Sequence, residues 1–254
     1  LMLKIDHVTI RFGDLIAVNN VSMEIPPIGI TALIGPNGAG KTTLFNCISG
    51  VYVPNDGDIF FEEKSIRGKR PSYIHNVGIS RTYQIINLFT EMPCIDNVIV
   101  GMHGDLKASF FDSMFHTKKH REEEKESYEK AYELLKLFGL EDKAYEPAGS
   151  LPYGEQRCLE IARALASNPK LLLLDEPAAG MNSKEKEELD KTLREIVKKW
   201  NLSILLVEHD MDLVMGISGY IHVLSFGKKI AEGTPTEIQQ NPDVIEAYLG
   251  GDDE

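Results

Sequence analysis

The chain has 254 residues, of which 43% are hydrophobic, and it carries a formal net charge of −12. That length suffices for a sizeable core in one or two domains, and the longest aliphatic runs are far too short to span a bilayer. The acidic balance disfavours a nucleic-acid-binding protein, although a local basic patch remains compatible with it. The amino end shows no basic region followed by an apolar stretch, so we expect a cytoplasmic protein with reduced thiols at its cysteines, Cys47, Cys94 and Cys158.

Apolar and alternating runs at both ends of the chain predict β-strands. The predicted strands are Leu3 to Phe12, Val18 to Ile25, Ile30 to Ile34, Ile59 to Phe61, Leu171 to Asp175, Ile204 to Val207 and Ile221 to Leu224. Between about Cys94 and Ala166 the apolar period becomes helical, with a stripe that includes Tyr128 and Leu135. The charged run at 120–125 beside this stripe is predicted to be a solvated face.

A glycine-rich segment, GPNGAGKTT at 35–43, follows an apolar run and precedes a helix-like segment. This order predicts a phosphate-binding loop, because small residues let backbone N–H groups turn towards an anion at the positive end of the helix dipole. Lys41 is expected to reach the β- and γ-phosphates, Thr42 to offer its hydroxyl to Mg²⁺, and Thr43 to reach an inner phosphate. A loop that merely turns the chain is the alternative, which the Lys-Thr pair before a helix disfavours. The predicted nucleotide-binding residues of the loop are Gly35, Asn37, Gly38, Ala39, Gly40, Lys41, Thr42 and Thr43.

Two later strands are each followed by polar side chains. LLLLDEP at 171–177 predicts a buried strand that ends in Asp175 and Glu176, and the strand at 203–207 is followed shortly by His209. Ligands of open α/β sheets bind at such carboxyl ends. We expect Asp175 to hold the Mg²⁺ shell and Glu176 to orient and polarise an attacking water. His209 is predicted to sense the γ-phosphate, with a purely structural hydrogen bond as the alternative.

In this order and spacing, the segments resemble those of the nucleotide-binding subunits of ATP-binding cassette (ABC) transporters over nearly the whole chain. Residues 35–43 are similar to the Walker A motif of this family and residues 171–176 to its Walker B motif. His209 is similar to its switch histidine. The resemblance implies that Gln84 is the Q-loop glutamine, which takes part in catalysis and binds Mg²⁺.

The resemblance extends to the adenine and signature positions. Phe12 is similar to the aromatic residue that stacks on adenine, with a buried strand aromatic as the alternative, and Val18 joins it among the implied nucleotide contacts. The signature loop corresponds to LPYGEQR at 151–157. In the family two ATPases enclose two ATP molecules, so this loop is expected to face the partner's nucleotide through Pro152, Tyr153, Gly154 and Glu155.

The resemblance implies an α/β fold, namely a P-loop NTPase core of ABC type with an N-terminal antiparallel β subdomain and an inserted helical subdomain. We expect a single ABC ATPase domain over residues 1–254, with ATP and Mg²⁺ as cofactors. Residues 1–93 and 167–254 would form the core with the β subdomain, and residues 94–166 would form the helical subdomain with the signature loop.

A narrower resemblance is to the ATPase subunits of branched-chain amino-acid importers. It rests on IRFG at 10–13, SRTYQ at 80–84, YGEQR at 153–157, AAGMN at 178–182 and AEGTP at 231–235. It implies a second ABC ATPase of the same or a different chain, two transmembrane permeases and, indirectly, a substrate-binding protein, at the inner face of the cell membrane. Related urea or amide importers share much of this pattern and remain an alternative. A non-transport ABC ATPase of DNA repair or chromosome organisation would carry very long coiled-coil insertions, and a translation-associated one would join two cassettes.

Two positions depart from the family pattern, since Pro152 replaces the usual signature serine and Asn182 replaces the usual aspartate. Proline has neither a hydroxyl nor an N–H, so we expect a missing donor to the partner's γ-phosphate, although proline also suits the start of a helix. The apolar segment at 85–89 is compatible with a permease coupling helix and equally with packing between subdomains. Three histidines between residues 103 and 120 would suit a metal site if that segment is helical, but no carboxylate–histidine motif accompanies them.

Overall fold

The computed structural model describes residues 1–102 and 118–249, which form two compact units. The first, hereafter the core unit, contains residues 1–81, 170–177 and 193 onward, and the second, hereafter the helical unit, contains residues 82–169 and 178–192.

Two sheets form the core unit. In chain order the described strands are β1 (Leu3–Phe12), β2 (Leu15–Ile25), β3 (Gly29–Ile34), β4 (Asp56–Phe61), β5 (Lys64–Ser65), β6 (Ile79–Arg81), β7 (Leu171–Asp175), β8 (Ser203–Val207), β9 (Tyr220–Ser225) and β10 (Lys228–Gly233). The first sheet is antiparallel, in the order β2-β1-β4-β5. It confirms the predicted N-terminal β subdomain.

The second sheet has the order β10-β9-β3-β8-β7-β6, and its strands are parallel apart from β10 at one edge. Every residue of β7 and β8 is buried, which explains their continuous aliphatic sequences. Strands β3, β8 and β7 are distant in sequence yet adjacent in the sheet, because Val207 of β8 pairs with Leu33 of β3 and with Asp175 of β7. The segments that follow these three strands therefore meet at one edge.

Helices complete both units. In chain order the described α-helices are α1 (Lys41–Ile48), α2 (Pro71–Asn76), α3 (Cys94–Val100), α4 (Lys118–Leu137), α5 (Tyr153–Leu165), α6 (Ser183–Trp200), α7 (Met211–Ile217), α8 (Pro235–Gln239) and α9 (Pro242–Leu249). Ala131 and Leu135 of α4 are buried, whereas Glu124 and Lys125 are exposed, as the predicted amphipathic pattern requires. Tyr128, which was predicted to belong to the apolar stripe, is instead 39% exposed. Across the described ranges, the helices are all too short or too polar to cross a bilayer.

The helical unit differs from the predicted range of 94–166. It begins at Thr82 because the segment before α3 is fastened to that helix. The side chain of Asn97 accepts from the backbone N–H of Phe89 at 2.9 Å and donates to its carbonyl oxygen at 3.0 Å. The unit also takes in residues 178–192, which the sequence patterns had assigned to the core.

Three of the described strands were not predicted from the sequence patterns. β5 has two residues and β6 has three, which is too short to show an alternation. β10 is a largely half-exposed edge strand with the sequence KKIAEG, which pairs with β9. Its charged residues interrupt the apolar alternation by which a strand would be predicted.

The predictions for cysteine and histidine side chains have different outcomes. Cys47 and Cys94 are buried free thiols, as expected, and burial raises the pKa of Cys47 to about 12. His103 and His116 lie outside the described residues, as does the side chain of His120, so the metal site considered there stays a prediction.

Candidate functional site

Glycines with left-handed backbones shape the loop between β3 and α1. Gly35 has a φ of 149°, and a Cβ at this position would overlap the carbonyl oxygen of Leu224. Gly40 has a φ of 100°, and its Cβ would lie 2.5 Å from the carbonyl oxygen of Ala17. Both positions therefore require glycine, and the loop keeps the tight path that a phosphate cradle needs.

The start of α1 is suited to an anion. The helix begins at Lys41 with no acidic residue in its first turn and no side-chain cap, so its first N–H groups lack acceptors within the helix. Asn37 and Gly38 of the preceding loop are exposed, and a Cβ at Gly38 would meet no atom within 4 Å. This end of the loop thus has both the donors and the space for a polyphosphate.

Lys41 is a buried lysine of the loop that lies near the carboxylates at the end of β7. Its side chain is 6% exposed, and its Nζ donates to the carbonyl oxygens of Gly35 at 2.6 Å and Pro36 at 2.9 Å. Burial lowers the pKa of Lys41 below its ordinary value, while the nearby carboxylates of Glu176 and Asp175 raise it. The ammonium and the two carboxylates therefore belong to one site.

Asp175, at the end of β7, is buried and paired with Arg81. Arg81 Nη2 donates to Asp175 Oδ2 at 3.0 Å. Its Nη1 donates to Asn46 Oδ1 at 2.7 Å and to Ser49 Oγ at 2.9 Å. The sequence analysis used Arg81 only as part of a family-like segment, because no local pattern indicates a pairing between such distant residues.

Glu176 and His209 face each other at the same sheet edge. His209 Nε2 lies 3.1 Å from Glu176 Oε1, and the two side chains are 43% and 20% exposed. Glu176 has a φ of 49°, and its N–H donates to the carbonyl oxygen of Val207 at 2.8 Å. A left-handed glutamate directly after a buried strand is a costly conformation, and such strain is concentrated at functional sites.

The core unit thus brings together four of the predicted residues, Lys41, Asp175, Glu176 and His209. Thr42 is exposed and Thr43 half-buried on the first turn of α1, beside Lys41. The segments that carry these residues meet because β3, β8 and β7 are neighbours in the sheet.

The two residues predicted near the adenine differ in exposure. Phe12 is 45% exposed at the end of β1 and packs edge to face on Tyr52, with ring centroids 5.3 Å apart, so it is not a buried strand aromatic. Val18 is fully buried, and its Cγ2 would lie 3.3 Å from a Cβ at Gly40. Val18 therefore supports the loop from beneath, and its contact with a nucleotide stays a prediction.

Gln84 lies in the helical unit, where Arg157 holds the backbone around it. Gln84 is exposed, and its carbonyl oxygen accepts from Arg157 Nη2 at 2.7 Å. Arg157 Nη1 donates to the carbonyl oxygen of Tyr83 at 2.6 Å and to Glu160 Oε2 at 2.9 Å. A fully buried arginine of the signature segment thus fixes the Q-loop backbone, a contact that the motif alone does not reveal.

The signature loop packs against the segment that follows Walker B. Pro152 directly precedes α5 and occupies its cap position with a φ of −53°, as expected of a residue that starts a helix. Gly154 is buried, and a Cβ there would lie 3.1 Å from Glu185 Oε1. A Cβ at Gly180 would in turn lie 3.0 Å from the ring of Tyr153. These close approaches explain why the segment after Walker B belongs to the helical unit.

Two further polar residues near the signature loop have clear partners. Glu155 accepts from Lys143 Nζ at 2.6 Å, which offsets the charge of a carboxylate in this loop. Asn182 Oδ1 accepts from the N–H groups of Lys184 at 3.0 Å and Glu185 at 3.1 Å, and so caps α6. Asparagine serves this purpose as well as the aspartate that the family pattern prefers.

Known sequences resemble the chain over nearly its whole length. The family described as ABC transporter matches residues 18–179, and the family described as branched-chain amino acid ATP-binding cassette transporter matches residues 228–254. The high-affinity branched-chain amino acid transport ATP-binding protein LivG of Escherichia coli (strain K12) is 46% identical, covering 98% of both chains. The corresponding protein BraF of Pseudomonas aeruginosa is 43% identical, with 98% of both chains covered.

Solved structures share the fold. A nucleotide-free ATP-binding cassette from an ABC transporter superposes with a TM-score of 0.84 at 32% identity, covering 97% of this chain and 98% of the other. The ADP conformation of the cassette MJ1267 gives a TM-score of 0.84 at 30% identity, covering 98% of both chains. Together with the buried lysine of the glycine-rich loop and the carboxylates at the same sheet edge, these similarities show that the chain belongs to the ABC transporter family, whose cassettes are ATPases.

Proposed function

We propose that this chain is the ATP-binding and ATP-hydrolysing subunit that powers an importer of branched-chain amino acids. The observation that carries the catalytic part is the burial of Lys41, whose Nζ donates to two carbonyls of its glycine-rich loop. Burial lowers the pKa of Lys41, and the nearby carboxylates of Glu176 and Asp175 oppose that shift. A cation, an anion-binding helix start and two carboxylates at one sheet edge suit the transfer of a γ-phosphoryl group to water.

The loop residues would hold ATP through their backbone amides, with Lys41 on the outer phosphates and Phe12 against the adenine. The oxygen donors fit Mg²⁺, because Thr42 supplies a hydroxyl and Asp175 a carboxylate, and Gln84 is the third proposed ligand. When bound, Mg²⁺ neutralises charge that develops on the phosphates.

Glu176 is the proposed base for the attacking water. Its largely buried carboxylate lies 3.1 Å from His209 Nε2, so the imidazole limits the rotation of the side chain. Glu176 would accept the water's proton, and His209 would contact the γ-phosphate.

The test of these roles compares three variants. Glu176→Gln keeps the shape but removes the base, so we expect ATP binding to persist and turnover to fall by roughly a hundredfold or more. Lys41→Ala should instead weaken ATP binding itself. Glu188→Gln makes the same change on an exposed residue of α6 and should leave both quantities unchanged. Wild-type turnover in Glu176→Gln, or unchanged ATP affinity in Lys41→Ala, would refute the corresponding role.

The transport role rests on the similarity to LivG and BraF, whose names specify branched-chain amino acids. We infer that the chain pairs with a second ABC ATPase, of the same or a different chain, beneath two permeases at the inner face of the membrane, with a substrate-binding protein delivering the solute. Co-purification of the native complex, followed by uptake of labelled leucine and labelled urea into vesicles, tests this proposal. Uptake of urea without leucine would favour the urea or amide alternative.

The proposed contact with a permease is an apolar surface just after Gln84. Ile85 is 82% exposed and Phe89 is 50% exposed, and Asn97 fixes the backbone of Phe89 by two hydrogen bonds. A rigid backbone that presents apolar side chains suits a docking site for a helix of another protein. Phe89→Glu should abolish co-purification with the permeases while ATP binding persists, whereas Phe226→Glu, at an exposed turn of the core unit, should not. Normal assembly of Phe89→Glu would exclude this docking site.

A further inference from the structure

Arg81 is a buried arginine that the proposed catalytic roles leave unused. Its side chain is 7% exposed, and its guanidinium lies over the ring of Phe45 at 5.6 Å. One nitrogen, Nη2, donates to the carboxylate of Asp175, and the other, Nη1, donates to Asn46 and Ser49. The guanidinium therefore spans two separate elements of the core unit.

Those two elements carry the two Mg²⁺ ligands that we propose within the core unit. Asp175 ends β7, and Thr42 stands on the first turn of α1, one helical turn before Asn46. The strand and the helix are linked through Arg81 by the bond of 3.0 Å to Asp175 and the bond of 2.7 Å to Asn46. The hydrogen bond to Oδ2 also limits the rotation of the Asp175 carboxylate.

We propose that Arg81 is a positioning residue for the Mg²⁺-nucleotide site, which holds the Asp175 carboxylate at a set place relative to Thr42. This inference rests on the proposed function, because it requires that Asp175 and Thr42 bind the metal. Outer partners of this kind orient metal ligands, and their substitution typically weakens metal binding by about 10- to 100-fold.

The planar fork of arginine explains why this residue type occupies the position. A lysine would keep the positive charge, yet its single ammonium on a flexible stem cannot span the carboxylate and the two α1 oxygens in one plane. Arg81→Lys therefore removes the geometry while it keeps the charge. The charge must be kept because a cation beside a Mg²⁺ site also repels the metal. An uncharged variant would lose both the positioning contacts, which weakens metal binding, and this repulsion, which strengthens it.

The experiment measures metal and nucleotide binding separately in the purified chain. Mn²⁺ binding in the presence of ATP is followed by electron paramagnetic resonance, and the binding of a fluorescent ATP analogue is titrated in EDTA and with increasing Mg²⁺. For Arg81→Lys we expect the half-saturating Mg²⁺ and Mn²⁺ concentrations to rise about tenfold. We expect affinity for the analogue in EDTA to stay within about twofold of the wild type, since Lys41 and the loop are intact.

Arg67→Lys is the matched control. Arg67 also donates from one guanidinium nitrogen to two oxygens, the carbonyls of Pro54 at 2.9 Å and Asn55 at 2.8 Å, but it touches no proposed ligand. Its variant should bind Mg²⁺ and the analogue as the wild type does. Asn46→Ala removes one anchor on α1 and leaves Arg81 in place, so it should raise the half-saturating Mg²⁺ by about threefold even if Arg81→Lys fails to fold.

Three results would overturn the inference. Unchanged Mg²⁺ and Mn²⁺ affinities in Arg81→Lys, or in Asn46→Ala if the first variant is unfolded, would show that the linkage does not position the ligand. An equal loss of affinity with and without metal would show a general structural role. Failure of the wild type to bind the ATP analogue, or binding that ignores Mg²⁺, would instead refute the proposed function.

Discussion

Removal of Arg157 gives a stringent test of how the helical unit is held together. The guanidinium of Arg157 is fully buried, bonds to the carbonyls of Tyr83 and Gln84, and pairs with Glu160, which is 1% exposed. Arg157→Met keeps most of the side-chain volume but leaves the buried carboxylate and two carbonyls without this donor. We therefore expect a large loss of stability together with a displaced Q-loop.

The expected magnitude follows from burial. Removal of one partner from a buried ion pair costs about 3–5 kcal/mol, whereas an exposed helical pair contributes only about 0.3–0.5 kcal/mol. For a chain of this size the first figure corresponds to a fall in melting temperature of about 6–20 °C. The matched control is Lys125→Met, because Lys125 and Glu129 form a pair at 3.6 Å whose side chains are 78% and 66% exposed. Its melting temperature should change by less than about 2 °C.

The pH dependence has a definite sign. Burial raises the pKa of Glu160 above its ordinary value, and Arg157 opposes that rise. Without Arg157 the folded state binds a proton at Glu160 that the unfolded chain releases near its ordinary pKa of about 4.3. The unfolding free energy of Arg157→Met should therefore fall as the pH rises above that value, by up to about 1.4 kcal/mol per pH unit. The deficit relative to the wild type should be smaller at pH 5 than at pH 8.

Urea unfolding followed by circular dichroism, at pH 5 and at pH 8, measures both effects. A second variant, Arg157→Met with Glu160→Leu, replaces the pair with apolar side chains and should recover much of the lost stability. A loss below about 1 kcal/mol in Arg157→Met, or a deficit that does not depend on pH, would refute the reasoning. So would a double variant no more stable than Arg157→Met.

Three further predictions concern the loop, a buried histidine and the signature proline. Gly35→Ala should weaken ATP binding at least tenfold, because its Cβ would overlap the backbone of Leu224. Gly38→Ala has open space at its Cβ and should cost only the backbone penalty of about 1–2 kcal/mol. Equal ATP affinities in the two variants would contradict this prediction. Burial lowers the pKa of His222, so the wild-type unfolding free energy should fall as the pH drops below about 6.5, by up to about 1.4 kcal/mol per pH unit. In urea titrations between pH 5.5 and 7.5, the unfolding free energy of His222→Gln should depend less steeply on pH. An identical pH dependence in the two proteins would contradict this prediction. The family resemblance implies that the signature loop faces the partner's nucleotide, so Pro152→Ser should supply a hydroxyl donor to its γ-phosphate and strengthen ATP-dependent pairing about tenfold or more in sedimentation equilibrium. An unchanged pairing constant would leave Pro152 as a residue that only starts α5.

Much of the chemistry could be predicted from the sequence because it depends on local patterns. A glycine-rich loop before Lys41 needs only small residues and a helix start, and an aliphatic run that ends in Asp175 and Glu176 is typical of a buried parallel strand. The resemblance of these segments, in their order along the chain, to a known family implied an ABC-type fold. Those features are encoded within a few consecutive residues, so no knowledge of distant contacts was required.

The tertiary structure decided which distant residues support that chemistry. The pairing of Arg81 with Asp175, the hold of Arg157 on the Q-loop and the burial of Val18 under Gly40 all join segments separated along the chain. The start of the helical unit is a further example. The apolar period becomes helical only at about Cys94, whereas the unit already begins at Thr82 because of its contacts within the folded chain. Local propensity and periodicity contain no information on which strands become neighbours, and that order in the sheet brings these side chains into contact.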